Sequence, residues 1–103
     1  MHVKAVVVLA EAAEDLEAGM AFYDAREPGI GRYFFDSLLS DIESLQIFGG
    51  IHSVRFGFHR MLSRRFPFGI YYDIDHGIAR VAAVLDMRRD PAWLRKEVAK
   101  REG

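Results

Sequence analysis

Asp73 and Asp75 stand two residues apart in an apolar, β-branched stretch, which places both carboxylates on one face of a strand. Such a pair can hold a metal ion or share a proton for acid–base work. His76-Gly77 follows at once, however, and Asp-His-Gly is turn chemistry, so the two acids read as the polar end of a hairpin. His2, His52, His59 and His76 show no metal-ligand spacing. The chain has no cysteine, hence no thiolate ligand, disulfide or cysteine nucleophile. Gly29-Ile30-Gly31 lacks the third glycine and the preceding strand of a nucleotide-binding fingerprint, and no serine sits in a nucleophile elbow. No metal and no cofactor is expected.

What remains is positive charge. Arg60, Arg64, Arg65, Arg88 and Arg89, with Trp93 nearby, are the candidate partner-binding residues of a basic surface. Residues 1–54 carry three cations against nine acids, whereas residues 55–103 carry eleven against six, beneath a net charge of −1. A basic half can face a polyanion or an acidic protein, or the two halves can simply neutralise each other. Arg64 and Arg65 either meet a target or pair with acids of the first two helices. Arg88 and Arg89 either bind a partner or cap the sheet edge and hold Asp90. Trp93 reads first as a packing anchor, and Phe22, Phe34, Phe35 and Phe48 as packing rather than a cofactor box.

These side chains need elements to position them. Lys4 to Leu9, rich in valine, suits a central strand covered on both faces. Glu11 to Arg26 is helical, with a stripe at Leu9, Ala12, Ala13, Leu16, Met20 and Tyr23 and acids in its first turn. Glu27-Pro28-Gly29-Ile30-Gly31 is a turn in which both glycines permit positive φ. A second helix runs from Gly31 to Gln46 on the stripe Ile30, Phe34, Leu38, Ile42 and Leu45, and Gly49-Gly50 ends it. Val54 to Arg65 is a mixed stretch whose better strand is His59 to Arg65. Phe66 to Ile74 and Ile78 to Met87 are the remaining strands, joined by Asp75-His76-Gly77. Tyr71 and Tyr72 point to opposite faces, so one of them belongs to the core. Asp90 as N-cap and Pro91 at N1 open a last helix, with Lys96, Lys100 and Arg101 toward its C-terminus. The order β-α-α-β-β-β-α defines an α+β fold: a helical hairpin packed on a small, mainly antiparallel sheet.

At 103 residues, half of them apolar, residues 1–103 form a single domain with a modest core. No run approaches the ~18 apolar residues that a membrane span needs. The apolar start is short and followed at once by acids, so it reads as a strand rather than a signal peptide, and a soluble cytoplasmic protein is expected.

Three pieces of the chain resemble the RelE/ParE toxin family, in order and over residues 12 to 94. Ala21-Phe22-Tyr23, Pro28-Gly29-Ile30-Gly31 and Phe34 look like its helix–turn–helix segment. Arg60 to Tyr72 is similar to the paired central strands of the ParE branch. Val84-Leu85-Asp86-Met87-Arg88-Arg89-Asp90-Pro91 with Trp93 resembles its closing strand, turn and last helix. The resemblance implies the toxin of a type II toxin–antitoxin (plasmid stabilisation) system, neutralised by a cognate antitoxin that wraps it and folds on binding, in a toxin–antitoxin hetero-oligomer.

Two modes of poisoning follow from the resemblance. ParE-like members bind DNA gyrase; RelE-like members cut messenger RNA on the ribosome. The second mode asks for strand cations and a Tyr or His near the C-terminus. Here Gly69 stands where RelE-like enzymes carry a critical Arg, and Arg95 where a Tyr is expected; Arg60 and Arg89 match the cations that remain and would be the catalytic candidates of a ribonuclease. The sequence pI of about 6.4 also argues against tight RNA binding. Gyrase binding is therefore favoured. Messenger-RNA cleavage and a non-toxic binding module on the same fold are the alternatives.

Overall fold

The computed structural model describes residues 3–101, so His2 lies outside the described residues. The apolar start forms strand β1 (Ala5–Val8) and runs directly into helix α1 (Ala10–Arg26). Glu11 in the first turn suits the helix dipole, and the stripe buries Ala12, Leu16 and Gly19 while Met20 and Tyr23 pack beside them. Helix α2 (Ile30–Glu43) returns antiparallel with Phe34, Leu38 and Ile42 buried.

The two glycines of the turn have different reasons. Gly29 lies at φ 97°, a left-handed conformation that favours glycine. Gly31, expected to serve in the same way, is buried inside the first turn of α2; a Cβ there would stand 2.5 Å from the Met20 carbonyl oxygen. It is the close approach of the helices that requires it. Asp24 fastens the turn by accepting the N–H of Gly29 (2.9 Å) and of Gly31 (3.2 Å).

The second helix does not continue unbroken to Gln46. Ser44 interrupts it, donating its hydroxyl to the Asp41 carbonyl at 2.6 Å, and a single further turn, α3 (Leu45–Phe48), buries Leu45. Gly49 then ends it, packed on Val3 and the Leu45 carbonyl.

The sheet has the order β1-β5-β4-β3-β2. Its strands are β2 (Val54–Arg55), β3 (Phe58–Leu62), β4 (Phe68–Asp75) and β5 (Ile78–Asp86). The hairpin at His76-Gly77 is as expected, with φ 52° and 80°. A second tight hairpin, at Phe56-Gly57, divides the mixed stretch, with φ 57° and 88°. The following strand stops at Leu62, so Arg64 and Arg65 lie in a loop and not on a strand.

β1 is an edge strand, parallel to β5 in the register Ala5↔Ile78 to Val8↔Val81, and not a central strand. Only one of its faces is covered: Val6 and Val8 pack on the hairpin side, while Val7 is exposed.

Both faces of the sheet's middle are buried. α1 and α2 cover one, against Ile70, Tyr72, Val81 and Val84. Helix α4 (Pro91–Ala99) lies on the other with Leu94 and Val98, against Phe58, Tyr71 and Leu85. Both tyrosines are therefore core, where one was expected. The pairing shift at Tyr71/Tyr72, which leaves Ala82 without a partner opposite, bends β5 between its two halves.

Candidate partner-binding surface

The end of β5 concentrates the candidates. Asp86 draws in the Arg88 guanidinium, which donates from Nε at 3.0 Å and Nη2 at 2.8 Å, and also accepts the Arg88 main-chain N–H. Arg88 holds the Asp86 carboxyl below its usual range, and its own pKa rises in turn. The Asp86–Arg88 pair is thus locally satisfied. Arg89 is placed differently: its guanidinium lies 3.7 Å from the centroid of the Trp93 ring. Among the described residues it lies within 4 Å of no carboxylate. Neither arginine holds Asp90, which instead caps α4 by accepting the Ala92 N–H at 2.7 Å. Trp93 is half-buried and packs against the α4-side cluster, as an anchor should.

Arg60 sits on β3 on the α4 side of the sheet. Its aliphatic part and Met87 fill the space above Gly69, where a Cβ would lie 2.6 Å from Met87 Sδ. Its Nε is buried without a hydrogen-bond partner. Arg95 stands 5.6 Å from the Phe56 ring centroid.

Arg64 and Arg65 do not pair with the first two helices. Among the described residues neither guanidinium lies within 4 Å of a carboxylate. The acid they were expected to meet acts on the loop instead. Asp41 of α2, buried, accepts the Ser63 hydroxyl at 2.7 Å and the Arg64 main-chain N–H at 3.2 Å, and this fixes the loop while the two side chains project into solvent.

Sequence reasoning missed one cluster altogether. Arg101, read as a helix-end charge, has a side chain only 6% exposed. It donates to Asp15 at 2.8 and 3.0 Å, to Glu97 at 2.9 Å and to the Ala82 carbonyl at 3.0 Å. The pairing raises the Arg101 pKa and lowers that of Glu97. Asp15 also accepts the Val84 N–H at 2.9 Å. Three elements meet on one guanidinium, and its partner Asp15 lies most of the chain away, which no local pattern reveals.

The residues first considered for acid–base or metal chemistry have structural partners. Asp73 is held by Arg80 at 2.7 and 2.8 Å, and Asp75 by His76 at 2.9 Å. The Tyr72 hydroxyl accepts the Gly50 N–H at 2.9 Å and bonds His52 Nδ1, and His59 Nδ1 donates to the His52 carbonyl at 2.7 Å. Burial, then the charge of His59, lowers the His52 pKa. Among the described residues no group of three or more His, Cys, Asp or Glu could hold a metal ion, and no helix is long and apolar enough to cross a membrane.

Beside Arg89 a groove of about 310 Å³ opens between α1 and the outer edge of β5, lined by Asp15, Ala18, Gly19, Phe22, Phe68, Val84, Leu85 and Asp86. A basic, aromatic-backed rim thus lies beside a mostly apolar groove.

The fold is of the RelE/ParE type, as the resemblance implied. A chain of the chromosomal ParDE TA system from P. aeruginosa superimposes with a TM-score of 0.71, at 18% identity, over 82% of this chain and 96% of that one. No protein-family model and no curated protein matches the sequence.

Proposed function

We propose that this protein is the toxin of a type II toxin–antitoxin pair, neutralised by an antitoxin, and that it poisons the cell by binding DNA gyrase. The observation that carries the first part is the shared fold with a chain of a ParDE TA system. What supports a binding mode of action is the character of the basic surface. Arg89 is stacked on Trp93, Arg88 is neutralised by Asp86, and the space above Gly69 is filled by Met87 and Arg60. Arg64 and Arg65 project from a loop that Asp41 holds still, a geometry suited to docking.

Induced expression in a bacterium lacking the antitoxin tests the proposal, with growth, pulse-labelled translation and the DNA-damage response followed together. Growth arrest with DNA damage and continuing translation is the expected result. Translation failing first would point to messenger-RNA cleavage through Arg60 and Arg89. Growth without arrest would remove toxicity and leave a binding module.

A further inference from the structure

Exposed apolar side chains concentrate in one stretch. Ile47, Phe48, Ile51 and Val54 fall within eight positions, at 72%, 50%, 74% and 56% exposure. Single exposed apolar residues are ordinary on a soluble surface; four in so short a segment are not. They stand on α3, on the strap that leads from it and at the start of β2, and none of them packs against either core cluster.

The segment is fastened to the sheet at both ends and in the middle. Gln46 Nε2 donates to the Val3 carbonyl at 2.7 Å and to the Lys4 carbonyl at 3.2 Å. The Gly50 N–H donates to the Tyr72 hydroxyl at 2.9 Å, and the His52 carbonyl accepts from His59 Nδ1 at 2.7 Å. Val54 pairs with His59 in the β2–β3 ladder. The apolar side chains are thus displayed on a fixed backbone, and covering them costs little ordering.

The charges that flank the patch select the occupant. Ser44 to Val54 contains no Asp, Glu, Lys or Arg, in a chain of which 28% is charged. Glu43 precedes this neutral stretch and Arg55 follows it, both exposed. Among the described residues neither lies within 4 Å of an opposite charge. A two-fold contact sets a patch against itself and reverses its direction, so it suits a neutral centre with opposite charges at opposite ends. We propose that this patch is the contact between two copies of the chain. Ile47, Phe48, Ile51 and Val54 pack around the two-fold axis, and Glu43 of each copy meets Arg55 of the other. Four side chains so exposed offer several hundred Å², the apolar centre of an interface that takes about 800 Å² from each partner. Glu43, Gln46 and Arg55 belong to its polar rim.

The test uses the purified full chain. Sedimentation equilibrium over a range of concentrations gives the dissociation constant of the dimer, with circular dichroism to verify that each variant folds. Ile51→Glu, at an exposed position, sets like charges across the axis and is expected to weaken the dimer at least about tenfold. Glu43→Arg and Arg55→Glu should each weaken it several-fold. The double variant Glu43→Arg/Arg55→Glu should restore it, because the pairs across the axis are then opposite again, and no other use of the patch requires that restoration. A wild type still monomeric at about 1 mM would overturn the dimer, as would a dimer indifferent to Ile51→Glu or a double variant no better than its singles. A monomeric chain whose binding to gyrase or to an antitoxin is lost in Ile51→Glu would also overturn it and assign the patch to that partner.

Discussion

Arg101→Met offers a demanding test of the packing. The substitution keeps an apolar stem and deletes a guanidinium that makes four hydrogen bonds under 3.1 Å with a side chain 6% exposed. Asp15 is left with the Val84 N–H alone, and the Ala82 carbonyl is left without a donor. Adding the four bonds singly would overcount, because they share one charge. The relevant scale is the removal of one member of a buried pair, about 3–5 kcal/mol. A domain of this size has a total stability of roughly 5–15 kcal/mol. Each kcal/mol shifts its Tm by about 4–8 °C, so a fall on the order of 20 °C is expected. Urea unfolding at neutral pH measures the loss directly, with an unchanged m-value showing that the comparison is like for like. The double variant Asp15→Leu/Arg101→Met should lose clearly less than the sum of its two singles, because removing both partners leaves no orphaned charge between them. A loss below about 1 kcal/mol in Arg101→Met would refute the reasoning, since that is the scale of a surface pair.

Three further outcomes follow. Leu38→Ala, at a fully buried position of α2, should cost about 2–5 kcal/mol by chemical denaturation; a loss below about half a kcal/mol would place the helix stripe on the wrong side. Gly31→Ala should destabilise by about 1–3 kcal/mol, because the added methyl meets the Met20 carbonyl, which cannot rotate away; a neutral result would show that α1 and α2 separate freely. The fold holds His52 neutral, with its pKa below the ordinary 6.5. The stability it contributes is therefore complete above that value and is lost as pH falls from there toward the depressed pKa. An NMR titration should give a His52 midpoint below 6.5, and a midpoint at or above it would contradict the assigned packing.

The elements that repeat locally were the ones legible in the sequence. The stripe Ile30, Phe34, Leu38, Ile42 and Leu45, the His76-Gly77 turn and the Asp90-Pro91 cap depend on neighbours a few residues away; the turn and the cap stand as read, and the stripe is buried from Phe34 to Leu45, although Ile30 is only partly covered and Leu45 falls in α3. Where partners come from afar, the reading failed. The valines of β1 look the same whether a strand has one neighbour or two, and the choice was made by β5, far along the chain. Phe56-Gly57 hid its turn because a phenylalanine at positive φ carries no warning in its identity. The basic candidates were legible as residue types but not as an arrangement. Nothing near Arg88 and Arg89 tells that the first is neutralised by Asp86 while the second lies over Trp93. Arg64 and Arg65 invited pairing with acids of α2, yet Asp41 holds the loop's Ser63 hydroxyl and Arg64 N–H instead.

The parallel pairing of β1 with β5 also has a consequence in time. The two strands are separated by nearly the whole chain, and the gap between them holds the helical hairpin and the rest of the sheet. α1 with α2, and β4 with β5, close through short turns and can form early, whereas β1 must wait for a finished β5 before it has anything to pair with. β1 is thus among the last elements to be fixed. Until β1 docks, the edge of β5 from Ile78 to Val81 stays exposed in the folding chain.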